Sequence, residues 1–283
     1  MNDKTDDDEI LKENVKRKII IDFYVSKDIP TELENFKFNV FIRLNAIKIT
    51  FKNVSFLHCI FDSCYLKNCV FDTCDFTGCR FIGSNFHQTS FRGCKFDFAT
   101  FERSQLDDDI LSEAPREENL RMRFARSLRM NYQQIGNAKA VNKAISLELE
   151  ATSIYLYKSW RSGERYYKEK YPGLLNGIVQ FLKWLEFWLL DFIWGNGESI
   201  RKLLSSIILI IFAIAVYDTN TNGSPLNIGF YWSSLQTAVA VFLGTLSPSP
   251  SNFTVGVLSF ITGVRFVSIA LLTALLVKRF SRR

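Results

Sequence analysis

The chain has 283 residues, room for two or three modules, with 47% hydrophobic side chains and a formal charge of +6. The excess charge does not describe a nucleic-acid-binding surface. Residues 200–283 hold seven Lys/Arg against one acid, Asp218, whereas residues 1–199 hold 28 of each sign. The only histidines, His58 and His87, offer no nucleophile–base pair and no metal spacing, so an enzyme is the weakest class and neither cofactor nor metal is expected.

The start, MNDKTDDDEI, is acidic and polar, the reverse of a secretory signal. Lys18–Tyr24 and Phe36–Ile49 alternate like strands, and residues 1–48 read either as a mixed-strand cap on the segment that follows or as part of a ligand site.

From Phe51 to Leu106 every fifth residue is a large apolar one, ten of them Phe. Two positions before each stands a small residue, including all six cysteines: Cys59, Cys64, Cys69, Cys74, Cys79 and Cys94. A period of five fits neither a helix nor a flat strand, so the chain must turn a corner in each repeat. Four corners close a square coil of twenty residues, with coils stacked at about 4.8 Å. The cysteine slots also accept Ser, Thr, Ala and Val, as packing positions would and metal ligands would not. Reduced, buried thiols suit a cytosolic location.

Repeats such as CVFDT, CDFTG, CRFIG, CKFDF and ATFER resemble those of the pentapeptide-repeat family. That resemblance implies a right-handed quadrilateral β-helix over residues 49–107. Some members of the family mimic DNA with an acidic surface. The ladder from Phe51 to Leu106 carries six Lys/Arg against five Asp/Glu, so polyanion mimicry is not expected, and neither is duplex DNA as a partner.

Residues 115–170 read as a helical hairpin. Leu120, Phe124, Leu128 and Tyr132 form one stripe of the first helix, Ile135-Gly136-Asn137 is a turn, and Ala140, Ala144, Leu147, Ala151 and Ile154 line the second. The first helix region carries Arg116, Arg121, Arg123, Arg126 and Arg129. These are either a solvated face or a site for an anion or nucleotide, since guanidinium grips phosphate bidentately. Residues 171–197 include an aromatic-rich stretch, Leu174–Trp194, expected to lie in a membrane interface with Trp184, Trp188 and Trp194 at headgroup level.

Residues 198–283 hold two long apolar stretches, 200–217 and 253–277, the second with Arg265 near its centre. Arg201 and Lys202 precede the first, and Lys278, Arg279, Arg282 and Arg283 follow the second. Residues 218–252 lack Lys and Arg. The chain is therefore expected to cross a lipid bilayer twice with both termini cytoplasmic. Between the spans, Phe230–Val241 is expected to re-enter the bilayer as a short helix and Phe242–Pro250 to return extended. Two helices cannot enclose a pore, so several copies must ring it. Arg265 either holds the fold by bonding helix carbonyls or lines the conduction path, with Gly256 and Gly263 permitting tight packing or a hinge.

FYWSSLQTAVAVFLGTLSP is similar to the pore region of two-transmembrane potassium-channel-like proteins, with Phe230, Tyr231, Ser233, Thr237, Gly244 and Pro248 near matching places. That likeness implies a homotetrameric pore with Thr237, Val241, Phe242, Leu243 and Gly244 at the filter. The family's GYG reads Phe242-Leu243-Gly244 here, a departure that puts potassium selectivity in doubt. The whole layout resembles bacterial pentapeptide-repeat channels of phage defence, such as the Hailong type. By that resemblance the protein is an inner-membrane, ligand-gated channel. An oligonucleotide from a partner nucleotidyltransferase would keep it closed, and loss of that signal would depolarise the cell. The alternative is a membrane-anchored scaffold for a protein partner, without conduction.

Overall fold

The computed structural model describes residues 17–28, 36–222, 228–245 and 253–281. The chain divides into two compact units, Met1–Lys158 and Ser159–Arg283.

The first unit is a square β-solenoid, and its corners explain the period of five. Every fifth residue from Phe38 to Arg103 has a positive φ, between 47° and 71°. Each five-residue repeat thus sends a large and a small side chain inward and turns the chain at one left-handed residue. Most of these corners are not glycine, so coil-to-coil hydrogen bonding must offset the cost of the left-handed conformation.

Twenty residues bring the chain back above itself. One face pairs β1 (Ile19–Ile21), β3 (Val40–Ile42), β6 (Ile60–Asp62), β9 (Arg80–Ile82) and β11 (Thr100–Glu102), all parallel. A second pairs β2 (Tyr24–Val25), β4 (Asn45–Ile47) and β7 (Tyr65–Lys67), and a third β5 (Thr50–Lys52), β8 (Val70–Asp72) and β10 (Ser90–Arg92). The fourth face is made of single bridges, Ser55 to Asp75 to Lys95. Inside, the phenylalanines stack in columns. Phe56 lies 5.1 Å from Phe76, Phe61 5.2 Å from Phe81 and Phe51 4.6 Å from Phe71, all nearly parallel.

The ladder begins before Ile49. Phe36 stacks on Phe56 at 5.6 Å, Phe41 on Phe61 at 5.1 Å, and Ala46 is completely buried in register with Leu66. Ile20 and Val25 pair with Phe41 and Ala46 at an offset of 21 residues, one more than the regular coil. Over the described part of residues 1–48 the separate cap is therefore replaced by further coil. Ala46 conceals this in the sequence because a methyl group does not mark the inward slot.

The other end of the solenoid is closed by helix. A 3-10 turn at Asp108–Glu113 leads to α1 (Glu118–Gln134), and α2 (Ala138–Arg161) returns antiparallel, with Glu148 reaching Arg126 and Arg129 and Lys158 reaching Glu118. Leu120, Phe124, Leu128 and Tyr132 are buried as the stripe predicts. Their partner is the last coil as well as α2: Phe124 lies 5.6 Å from Phe96 and 5.8 Å from Phe101.

The second unit is helical: α3 (Arg165–Lys170), α4 (Leu174–Trp194), α5 (Ile200–Asn222), α6 (Ile228–Leu243) and α7 (Val255–Ser281). Ile200–Thr221 and Val255–Phe280 are long and apolar enough to cross a membrane. The first continues beyond Tyr217, where the apolar run ends, and within that extension Thr219 and Thr221 donate their hydroxyls to the Ala215 and Tyr217 carbonyls. Ile208, Phe212, Phe260 and Phe266 stand exposed on these helices, a surface that water alone would solvate poorly.

Candidate functional site

The expected pore segment is a helix clasped by the two long ones. Ala238, Val241 and Phe242 of α6 are buried against Ile214 and Ala215 of α5, Phe253, and Ile261 of α7. The helix ends differently from expectation. Phe242 and Leu243 belong to its last turn rather than to an extended return, and Gly244 follows with φ 76°. The Gly244 N–H donates to the Val241 carbonyl (3.1 Å) and the Thr245 N–H to the Ala240 carbonyl (2.9 Å), the paired bonds of a Schellman cap. The carbonyls of Ala240 and Val241 are therefore occupied by the helix's own stop and do not turn sideways as filter carbonyls would. Thr237 also spends its hydroxyl on the helix, donating to the Ser233 carbonyl at 3.1 Å. Leu243 is 61% exposed. Pro248 and the remainder of the expected return, 246–250, lie outside the described residues, as do Arg282 and Arg283.

Arg265 is brought to this cap. Its guanidinium occupies the space that a side chain at Gly244 would need, with Cζ 5.3 Å from the Phe266 ring. A helix C-terminus carries partial negative charge, so the guanidinium meets the one part of α6 that attracts a cation. Among the described residues nothing stands within 4 Å of where a Cβ at Gly256 or Gly263 would be, and α7 runs unbroken through both.

At the opposite end of α7 lies a second junction. The α4–α5 turn uses three consecutive positive-φ residues, Gly195, Asn196 and Gly197. Lys278 of α7 donates to the Gly197 carbonyl at 2.9 Å and pairs with Glu198 at 2.5 Å. Lys202 pairs with Asp191 across the turn at 2.6 Å, and Ser206 donates to the Ile193 carbonyl at 3.0 Å. The basic ends of the two long helices thus meet at one place.

The five arginines of the first unit do not converge. Arg126 and Arg129 share Glu148, each at 2.9 Å, Arg121 donates to the Pro115 carbonyl at 3.0 Å, and Arg116 and Arg123 are exposed. What α1 presents to the solenoid is instead a row of amides and hydroxyls. Asn131, completely buried, accepts from the Ser104 N–H at 2.7 Å and donates to the Ser104 carbonyl at 2.8 Å. Ser127 accepts from the Phe101 N–H (2.8 Å), and Gln134 accepts from that of Arg103 (2.9 Å). These side chains replace the coil that is no longer there. The signal for them was Ser127 and Asn131, spaced by four on the apolar stripe of α1.

Residues 59–97 and 74–108 match the family described as Pentapeptide repeats (8 copies). The β-solenoid is built of pentapeptide repeats. Solved structures similar to the chain include a pentapeptide repeat protein from the Arabidopsis thaliana thylakoid lumen, at 18% identity over 31% of this chain and 73% of that one, with a TM-score of 0.16. Two trypsin-treated forms of QnrB1, a plasmid-mediated fluoroquinolone resistance protein, are 14% and 13% identical. Each spans 32% of this chain, covering 54% and 73% of its own, with TM-scores of 0.14 and 0.17. No curated protein matches.

The small-residue rung of the pentapeptide repeats is a hydrogen-bond ladder. Cys64, Cys69 and Cys74 direct Sγ at the carbonyls of Phe41, Ala46 and Phe51, 3.3–3.4 Å away. Ser84 makes the same bond to Phe61 at 3.1 Å and accepts from the Cys64 N–H at 3.0 Å, which explains why hydroxyls and thiols interchange here. Burial pushes the Cys59 and Cys64 thiols up to about 11. These are protonated packing groups and poor nucleophiles.

Proposed function

We propose that the protein is the subunit of a homo-oligomeric, most simply tetrameric, membrane pore. In this reading α5 and α7 cross a bacterial inner membrane, α6 re-enters it between them, and the pentapeptide-repeat unit carries a gating signal on the cytoplasmic side. One observation carries the reading: the place where α6 stops. Its 16 residues extend about 24 Å, short of the ~30 Å hydrocarbon core. Its cap lies against Arg265, about ten residues or ~15 Å along α7 from Val255. If α7 spans the bilayer, the polar end of α6 sits near mid-depth, where backbone is tolerated only in protein or beside a watery cavity. Several copies would supply that cavity.

The gating ligand is proposed to be a nucleotide or oligonucleotide that holds the pore shut. This rests on the resemblance in layout to phage-defence channels. Because Arg126 and Arg129 are paired with Glu148, a phosphate would have to compete with a carboxylate there; Arg116 and Arg123 are the exposed contacts left to it. Full-length protein reconstituted in liposomes should pass ions in a flux assay, and candidate oligonucleotides should reduce the flux. A homogeneous reconstituted oligomer that conducts under no condition overturns the proposal.

A second reading, a membrane-anchored scaffold, is favoured by the helical end of α6, since residues 241–244 do not supply an extended filter. A scaffold would retain its protein partner after substitution of Gly244 or Phe242 and would show no flux before or after.

A further inference from the structure

The α4–α5 junction holds a groove of ≈ 400 Å³. Trp188 and Phe192 of α4 and Leu209 of α5 form its apolar wall, and Arg201 and Lys202 stand at the start of α5. The α5 side has a fixed chemical order. Arg201 comes first, Ser205 one turn deeper and Leu209 another turn on, a stripe of about 12 Å along the helix. Cation, hydroxyl and hydrocarbon succeed one another as α5 enters its long apolar stretch.

The two cations are not equivalent. Lys202 is committed to Asp191 at 2.6 Å, which cancels its charge within the groove. Arg201 is exposed and has no ion-pair partner among the described residues. Ser206 has already spent its hydroxyl on the Phe192 and Ile193 carbonyls, whereas Ser205 is exposed. The groove therefore carries a net positive charge at its mouth, on a guanidinium whose planar donors match phosphate. Trp188 stacks on Phe192 at 5.9 Å with both rings about half exposed, an apolar wall open toward the side on which a chain would lie.

We propose that this groove is a binding site for an anionic phospholipid, with the headgroup phosphate on Arg201, the glycerol region at Ser205 and an acyl chain between Phe192 and Leu209. The proposal rests on the reading of α5 as a membrane span. A soluble phosphate would use the guanidinium but not the apolar wall, and a zwitterionic lipid would use the wall without a net charge to favour it. Only an anionic amphiphile satisfies the whole groove.

The test uses full-length protein in phosphatidylcholine vesicles containing a minor fraction of brominated phosphatidylglycerol, which quenches tryptophan fluorescence on contact. Quenching should exceed that from the same fraction of brominated phosphatidylcholine. The excess should fall most in Trp188→Phe, which removes the ring lining the groove, and weaken about five- to tenfold in apparent lipid affinity in Arg201→Gln, while Arg279→Gln leaves it nearly unchanged. Equal quenching by the two lipids, or excess that survives both Trp188→Phe and Arg201→Gln, overturns the site. Displacement of the excess by inorganic phosphate overturns the lipid assignment in favour of a soluble anion. Failure to enter vesicles of any composition instead overturns the membrane reading beneath it.

Discussion

The guanidinium of Arg265 fills the space beside Gly244 that any larger residue would claim, so a charge in the middle of α7 and the cap of α6 specify one another. No acid is needed to explain Arg265, because the partial charge of a helix C-terminus is its counterpart.

Gly244→Ala should therefore be costly twice over. Its φ of 76° penalises a Cβ by about 1–2 kcal/mol, and Arg265 must also move. Arg265→Ala alone should cost about 0.3–2 kcal/mol through the lost dipole partner. The double variant should be less damaged than the sum, with a coupling of about 0.5–3 kcal/mol. Thermal unfolding of the four forms in detergent measures this, and strict additivity would show that the two residues do not interact.

Asn131→Leu should destabilise the pentapeptide-repeat unit by about 2–4 kcal/mol. It strands the Ser104 N–H and carbonyl in a buried end that water does not reach. Asn131→Asp should also be damaging, because it loses the donor and buries a charge. Chemical denaturation followed by far-UV circular dichroism reports both.

Phe98→Asn should stabilise by roughly 0.5–1 kcal/mol, since a bulky residue is held at φ 59° with 57% of its surface exposed and little packing to lose. In the same assay Gly93→Ala, at φ 61°, should destabilise by about 1 kcal/mol.

The cysteine ladder predicts a loss of stability in alkali. In the unfolded chain the thiols ionise near 9, whereas the fold keeps Cys59 and Cys64 protonated to about 11. Their contribution is full below pH 9 and falls as pH rises from 9 to 11, because the unfolded state then binds fewer protons than the native one. Melting temperatures across that range check the sign. Cys64→Ser should be tolerated, as Ser84 already fills an equivalent slot.

Much of the solenoid was legible because its period is local: each five-residue unit carries its own inward side chain, small residue and corner. Where a unit lost its large residue, at Ala46, the coil continued unseen, since backbone pairing with Leu66 holds it without a bulky marker. The helical stripe of Phe124, Leu128 and Tyr132 was equally plain, but not what it covered. The arginines of α1 illustrate the limit. Their number in the sequence left open a solvated face offset by acids or one phosphate grip, and Glu148, about twenty residues away, pairs with two of them.

The amino-acid order alone determined the square coil, the two long apolar helices and the short helix between them, since each follows from a repeat or a run within a few turns of chain. Tertiary structure decided what Arg265 faces, which side chains close the solenoid and how Lys278 returns to Gly197. Those features join residues 21 to 81 positions apart through isolated side-chain contacts. Such contacts leave no periodic trace in a sequence, and only packing brings their partners within reach.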